Sequence, residues 1–193
     1  MFTPDHFKIS EEAEIFRFIE HNGFGQIIST LQGKIVSTHI PFLLSDDKKT
    51  LVGHLARQNP QHTDLNEQEV LVTLNGPHEY ISPTWYASPG VPTWNYQTVH
   101  IYGVCKLLDD PSALQTIVKK LTTKYEEALG TNWQPNYDEA MLKHIVGVEI
   151  HITDIQCKYK LSQNRSTQDR LNVANALETL GSVQLANAIR KAD

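Results

Sequence analysis

Between residues 24 and 108 the chain offers one strand-like run after another, with no helix long enough to cross between them. The runs cover 24–31, 34–44, 50–55, 69–75, 79–82 and a long stretch from 92 to 108. Gln32-Gly33 separates the first two as a tight hairpin, and Ser45-Asp46-Asp47 marks a second turn. Strands joined this closely must pair antiparallel, because a parallel neighbour needs a crossover of a dozen or more residues. The expected product is an antiparallel sheet that closes as a barrel.

Helices flank this core. Ser10-Glu11-Glu12 opens one, with a side-chain oxygen for free amides and carboxylates at the positive end of the dipole. Ile15, Phe16 and Ile19 form its apolar stripe, and Asn22-Gly23 stops it. Asp110-Pro111 starts a second, in which Leu114, Ile117, Val118, Leu121 and Tyr125 recur at helical spacing. A short helix around 138–144 leads into a strand at 145–155, and helices at 167–180 and 183–191 end the chain. The fold class is α+β. A barrel domain spans 1–165, and 166–193 is a two-helix tail of the same domain.

At 193 residues the chain can bury a core without disulfide or metal staples. No apolar run approaches the ~18 residues that cross a bilayer. The first seven residues lack a basic cluster and an apolar core, so a cytoplasmic protein is expected, with Cys105 and Cys157 as buried free thiols. Its 17 basic residues against 22 acidic ones oppose broad nucleic-acid binding, yet allow a local basic pocket.

Three segments carry candidate chemistry. Tyr80, Trp85, Tyr86, Trp94, Tyr96 and Tyr102 crowd together beside Pro77, Pro83, Pro89 and Pro92. An ordered, turn-rich loop running into a strand is expected there, either as an aromatic wall for a planar ligand or subunit, or as a plug for a barrel end. Arg57 follows an apolar strand directly, where its fork can meet an anion or form a surface ion pair. Lys158-Tyr159-Lys160-Leu161-Ser162-Gln163-Asn164-Arg165, with Arg170 behind, is either an anion site before a helix or a solvated loop. There is no Walker loop and no nucleophile elbow, and Ile28 stands where a dinucleotide fingerprint after Gly23-Phe24-Gly25 needs glycine. The histidines have no chelating helical spacing, so no metal is expected; His39, His54, His78 and His100 read as structural strand residues.

Five motifs resemble the PaiB-like proteins, FMN-binding negative transcriptional regulators. They are Ser37-Thr38-His39-Ile40-Pro41, Gly53-His54-Leu55-Ala56-Arg57-Gln58-Asn59-Pro60, the segment from Gly76 to Tyr86, Val91-Pro92-Thr93-Trp94-Asn95-Tyr96, and Lys160-Leu161-Ser162-Gln163-Asn164-Arg165. Departures are Thr84 where serine is usual and a short 87–91 segment where a basic insertion is common. The resemblance implies a split β-barrel related to the pyridoxamine-phosphate-oxidase-like flavoproteins, a homodimer with FMN at the interface. It implies Arg57 at the FMN phosphate, Thr38 and His39 along the isoalloxazine edge, and His54 within the same site. It also implies Lys160, Gln163, Asn164 and Arg165 from the late loop, with Trp94 and Tyr96 packing on the ring.

Three functions follow from different classes. One is an FMN-binding regulator; another is an FMN-dependent oxidoreductase that takes electrons from a reduced nicotinamide, for which no catalytic residue stands out. The last is a direct DNA-binding repressor using the tail as a helix-turn-helix. Charge opposes it, since 183–191 carries just Arg190 and Lys191 near its end.

Overall fold

The protein is seen here as a computed structural model that describes residues 1–131, 133 and 137–192, with the backbone alone of Glu139. Its strands are β1 (Lys8–Ile9), β2 (Phe24–Leu31), β3 (Lys34–Pro41), β4 (Leu43–Leu44), β5 (Thr50–Ala56), β6 (Glu69–Ile81), β7 (Thr93–Leu108) and β8 (Ile145–Lys160). Its helices are α1 (Glu12–His21), α2 (Pro111–Leu129), α3 (Glu139–Leu142), α4 (Thr167–Thr179) and α5 (Val183–Lys191). The strands form one antiparallel sheet in the order β3-β2-β6-β7-β8-β5-β4, with β1 also beside β8.

The expected closure of the barrel does not occur. β3 and β4 are the two ends of the hydrogen-bonded path although Phe42 alone separates them in the chain. The Phe42 ring is buried and its amide donates to the Gly23 carbonyl at 2.7 Å. That bond takes the backbone out of the ladder and divides the 34–44 run into two strands. The barrel is therefore split.

Two compact units make up the chain. One comprises Ile19–Leu74 and His100–Ile155. Its first hairpin pairs Leu31 with Lys34 across Gln32 (φ 50°) and Gly33 (φ 77°), the mirror-image turn that matches strand twist. β5 pairs with β8 from Thr50↔His151 to Ala56↔Ile145. Asp110 caps α2 by accepting from the Ala113 amide at 2.9 Å, and Pro111 occupies the first helical position. Leu114, Ile117 and Leu121 are buried as the spacing predicts, while Tyr125 near the helix end is 40% exposed.

The other unit comprises Met1–Phe18, Asn75–Val99 and the chain from Gln156 onward. The capping oxygen of α1 belongs to Glu11 rather than Ser10, accepting from the Glu14 amide at 2.6 Å. Phe18 is buried where Phe16 was expected to be. β6 continues through Pro77, so 69–75 and 79–82 are one strand. Its pairing with β2 stops at Leu74, and the amide that Pro77 lacks is not needed there. β8 likewise runs on from the expected end at 155 to Lys160. Val173, Leu177, Leu185 and Ile189 of α4 and α5 are buried. Among the described residues no helix is long and apolar enough to cross a membrane.

Gly25 sits where β2 and β6 approach most closely. A Cβ there would stand 2.4 Å from the Thr73 carbonyl oxygen and 2.4 Å from Leu74 Cδ2. Gly25→Ala is expected to cost about 2 kcal/mol through forced separation of the strands. A lowered urea midpoint at unchanged slope would show it.

Candidate functional site

The candidate residues fall into the two units, and each unit fastens its own in a distinct way. In the unit built on β2 and β3, Thr38 is half-buried on β3. Its hydroxyl accepts from Asn59 Nδ2 at 2.8 Å and donates to Gln61 Oε1. Gln61, 2% exposed, in turn donates to the Ile27 carbonyl at 3.2 Å and to Ser29 Oγ at 2.8 Å. His39 is exposed, shares a hydrogen bond with Gln26 at 2.8 Å and stacks beside Phe24. His54 is half-buried on β5, opposite Gly147, and its Nδ1 has no partner among the described residues. Burial pushes this ring below the ordinary histidine value, so it is neutral near pH 7.

Arg57 stands just past β5 and is engaged within the protein. Its Nε donates to the Lys143 carbonyl at 3.0 Å and its Nη2 to the Ile145 carbonyl at 2.8 Å. The same Nη2 pairs with Asp109 at 2.5 Å. The fork therefore ties the end of β5 to the start of β8.

The remaining candidates belong to the other unit. Trp94 is 52% exposed, with Tyr80 edge-on at 6.1 Å and His78 at 6.5 Å between ring centroids. Lys160 donates to the hydroxyl of Thr93, beside Trp94. Tyr96 offers its ring face to the Lys158 ammonium at 5.3 Å. Gln163 closes its own turn: its Oε1 accepts from the Leu161 amide and its Nε2 donates to the Tyr159 carbonyl, both at 2.7 Å. Arg165 lies over the Tyr86 ring at 4.3 Å and donates to the Pro89 carbonyl at 3.2 Å, while Asn164 is exposed.

Three residues near these sites were not singled out from the sequence as members, and a fourth, Lys158, was read as part of a candidate anion segment in a loop. Gln61 centres the Thr38 network. Asn95, fully buried, donates to Ser162 Oγ at 2.8 Å, and its Oδ1 has no partner among the described residues. Asp169, 1% exposed, accepts from the Ala87 amide at 2.7 Å and Ser88 Oγ at 2.5 Å, bonds that hold its carboxyl below the ordinary value. Lys158 is buried on β8. Extending the β8 alternation past 155 would have placed Lys158 and Lys160 on one strand face.

Two measurements check this geometry. Gln61→Leu strands the Ile27 carbonyl and the Ser29 hydroxyl, and should lower stability by about 2 kcal/mol in urea denaturation. His54 is held neutral when folded, so the unfolded ring takes up a proton first as pH falls below about 6.5. Stability is then expected to fall on acidification through that window, and His54→Gln should flatten the profile of urea midpoint against pH.

Residues 1–154 match the family model described as "Putative FMN-binding domain". The protease synthase and sporulation protein PAI 2 of Bacillus subtilis is 41% identical over 186 residues, covering 92% of this chain and 89% of that protein. An uncharacterized protein of Emericella nidulans is 32% identical over 86% of this chain and 85% of its own length. Among solved structures, the FAD and heme binding protein of Mycobacterium smegmatis superposes with a TM-score of 0.66 over 85% of this chain and 78% of that one, at 12% identity. The flavocytochrome Anf3 of Azotobacter vinelandii gives 0.65 over 84% of this chain and 74% of that one, also at 12% identity. At such identity these two share a fold, the split barrel built above. The chain belongs to the PaiB-like family of FMN-binding split-barrel proteins, and FMN is its cofactor.

Proposed function

We propose that the protein is an FMN-binding negative regulator of gene expression that works as a cytoplasmic homodimer and does not itself read duplex DNA. The observation that carries this reading is the open aromatic surface of Trp94 and Tyr80, 52% and 43% exposed, next to the Lys160–Thr93 pair. An exposed tryptophan held edge-on to a tyrosine suits cover by a flavin ring or a second subunit. The donor chemistry also fits FMN. Lysine ammonium groups suit its phosphate, and the unpartnered His54 Nδ1, a buried polar atom, can be satisfied by a bound group. In the unit built on β2 and β3, Thr38 and His39 are proposed with His54 as flavin contacts; in the other unit, Tyr96 and the turn of Gln163, Asn164 and Arg165 are proposed with Trp94 and Lys160. When bound, FMN supplies redox chemistry, and the residues here bind and orient it.

The tail supports an indirect route to regulation. Arg190 on α5 is held by Glu178 at 2.5 Å and Asn175 at 3.0 Å, and Arg170 donates to the Ile189 carbonyl at 3.2 Å. These cations are engaged by the neighbouring helix rather than free for phosphates. The Bacillus subtilis relative is named as a sporulation protein, which agrees with a regulatory role.

Purified protein is expected to be yellow, to sediment as a dimer, and to lose flavin absorbance from the protein fraction on denaturation. Trp94→Ala should weaken FMN retention or dimerisation without unfolding. A colourless protein that takes up no FMN on titration overturns the reading. So does a promoter-specific DNA shift that fades with salt. Sustained oxidation of reduced nicotinamide by the flavin-loaded protein would move the assignment to an oxidoreductase.

A further inference from the structure

We propose that Lys158 and Lys160 together hold the phosphate of the bound mononucleotide, and that Arg57 serves as a positioning residue. The proposal rests on the FMN-binding reading above and names the groups that meet its charged end.

The two lysines lie on one strand and meet neutral oxygens alone. Lys158 is 8% exposed, yet the oxygen its ammonium meets is a backbone carbonyl, that of Phe2, at 3.1 Å. Around it lie the faces of Tyr96 at 5.3 Å and Phe2 at 5.9 Å. Lys160, two residues on and on the same face of β8, donates to the neutral hydroxyl of Thr93. An ammonium carries three donors, so each keeps capacity for an anion. Neither meets a carboxylate among the described residues. Three acids of this unit are engaged elsewhere: Glu14 with Arg17 and Tyr159, Asp169 with Ala87 and Ser88, Glu178 with Arg190.

A buried cation without a counter-charge is costly to keep, and the cost falls when an anion arrives. The chain carries a net charge of −5, so local positive charge left uncompensated by its own acids marks a place for an external anion. A phosphate monoester, close to dianionic near neutral pH, matches two adjacent ammonium groups. Arg57 shows the opposite condition. Asp109 compensates its charge at 2.5 Å, and the Lys143 and Ile145 carbonyls occupy its fork at 3.0 and 2.8 Å.

FMN and riboflavin share the isoalloxazine and ribityl parts and differ by the phosphate, so their affinities separate the two ends of the site. Fluorescence titration of flavin-free wild-type protein should show FMN bound more tightly than riboflavin. Lys158→Met and Lys160→Met should each weaken FMN by about tenfold and leave riboflavin unchanged. Lys158→Arg should preserve FMN affinity. Arg57→Met should lower the thermal midpoint while leaving the ratio of the two affinities as in wild type. If Lys158→Met does not fold, Lys160→Met and Lys158→Arg decide the matter. Equal losses for both flavins in the lysine variants overturn the proposal, as does a phosphate-specific loss confined to Arg57→Met. Wild-type protein that binds both flavins equally overturns the phosphate site alone; one that binds neither overturns the FMN reading itself.

Discussion

The backbone ladder of β8 is the constraint on which the other features depend. Its first seven residues pair with β5, and Cys157 and Lys158 near its end pair with β1. Buried amides of a sheet must all find partners, so a strand held this way has little freedom in register. Register decides which side chains face which way. A slip by one residue would exchange the face that carries Lys158 and Lys160 with the one that carries Tyr159. The end of the strand is closed just as tightly, because Gln163 satisfies both the Leu161 amide and the Tyr159 carbonyl. A charged pair on such a strand is presented at a fixed spacing.

Charge is distributed by the same logic. Arg17, Lys48, Arg57 and Arg190 each face a carboxylate; the Arg17 pair lies within α1, and the other three fasten separate segments of the chain. These pairs are solvent-exposed to different degrees and contribute modestly to stability. Their larger effect is to remove acids from competition, which leaves the cations at the end of β8 with neutral partners. Placement of acids, more than abundance of lysine, makes the local positive field in an acidic chain.

What the sequence reveals follows from the range of the interaction involved. Gln32-Gly33 and Asp110-Pro111 act through their own backbone angles and caps, and both were legible because those effects are local. The break at Phe42 depends on a carbonyl nineteen positions earlier in the chain, at Gly23, and no local pattern announces it. Pro77 misled for a related reason: proline opposes a central ladder, but the pairing of β6 with β2 had already stopped at Leu74. Ending the last strand at 155 made Lys158 look like one more loop cation. The family motifs name candidate residues, whereas the fasteners around them (Gln61 in one unit, Asn95 and Asp169 in the other) emerge from three-dimensional neighbours alone.

The aromatic segment between β6 and β7 shows how order can be imposed without regular structure. Three prolines at 83, 89 and 92 limit its backbone, and a short turn over Pro83–Trp85 is capped by Ser82. Beyond that turn, Asp169 of α4 accepts from Ala87 and Ser88, while Arg165 covers Tyr86 and donates to the Pro89 carbonyl. Two residues of opposite charge, four positions apart at the start of one helix, thus hold consecutive parts of the same segment. Gly90 completes the fit, since a Cβ there would press within 2.3 Å of the Tyr86 ring. A surface fixed before its ligand arrives loses less conformational entropy on binding than a loop that must order itself. The helical tail therefore has a physical task that needs no nucleic acid: its first turn keeps the aromatic segment in shape.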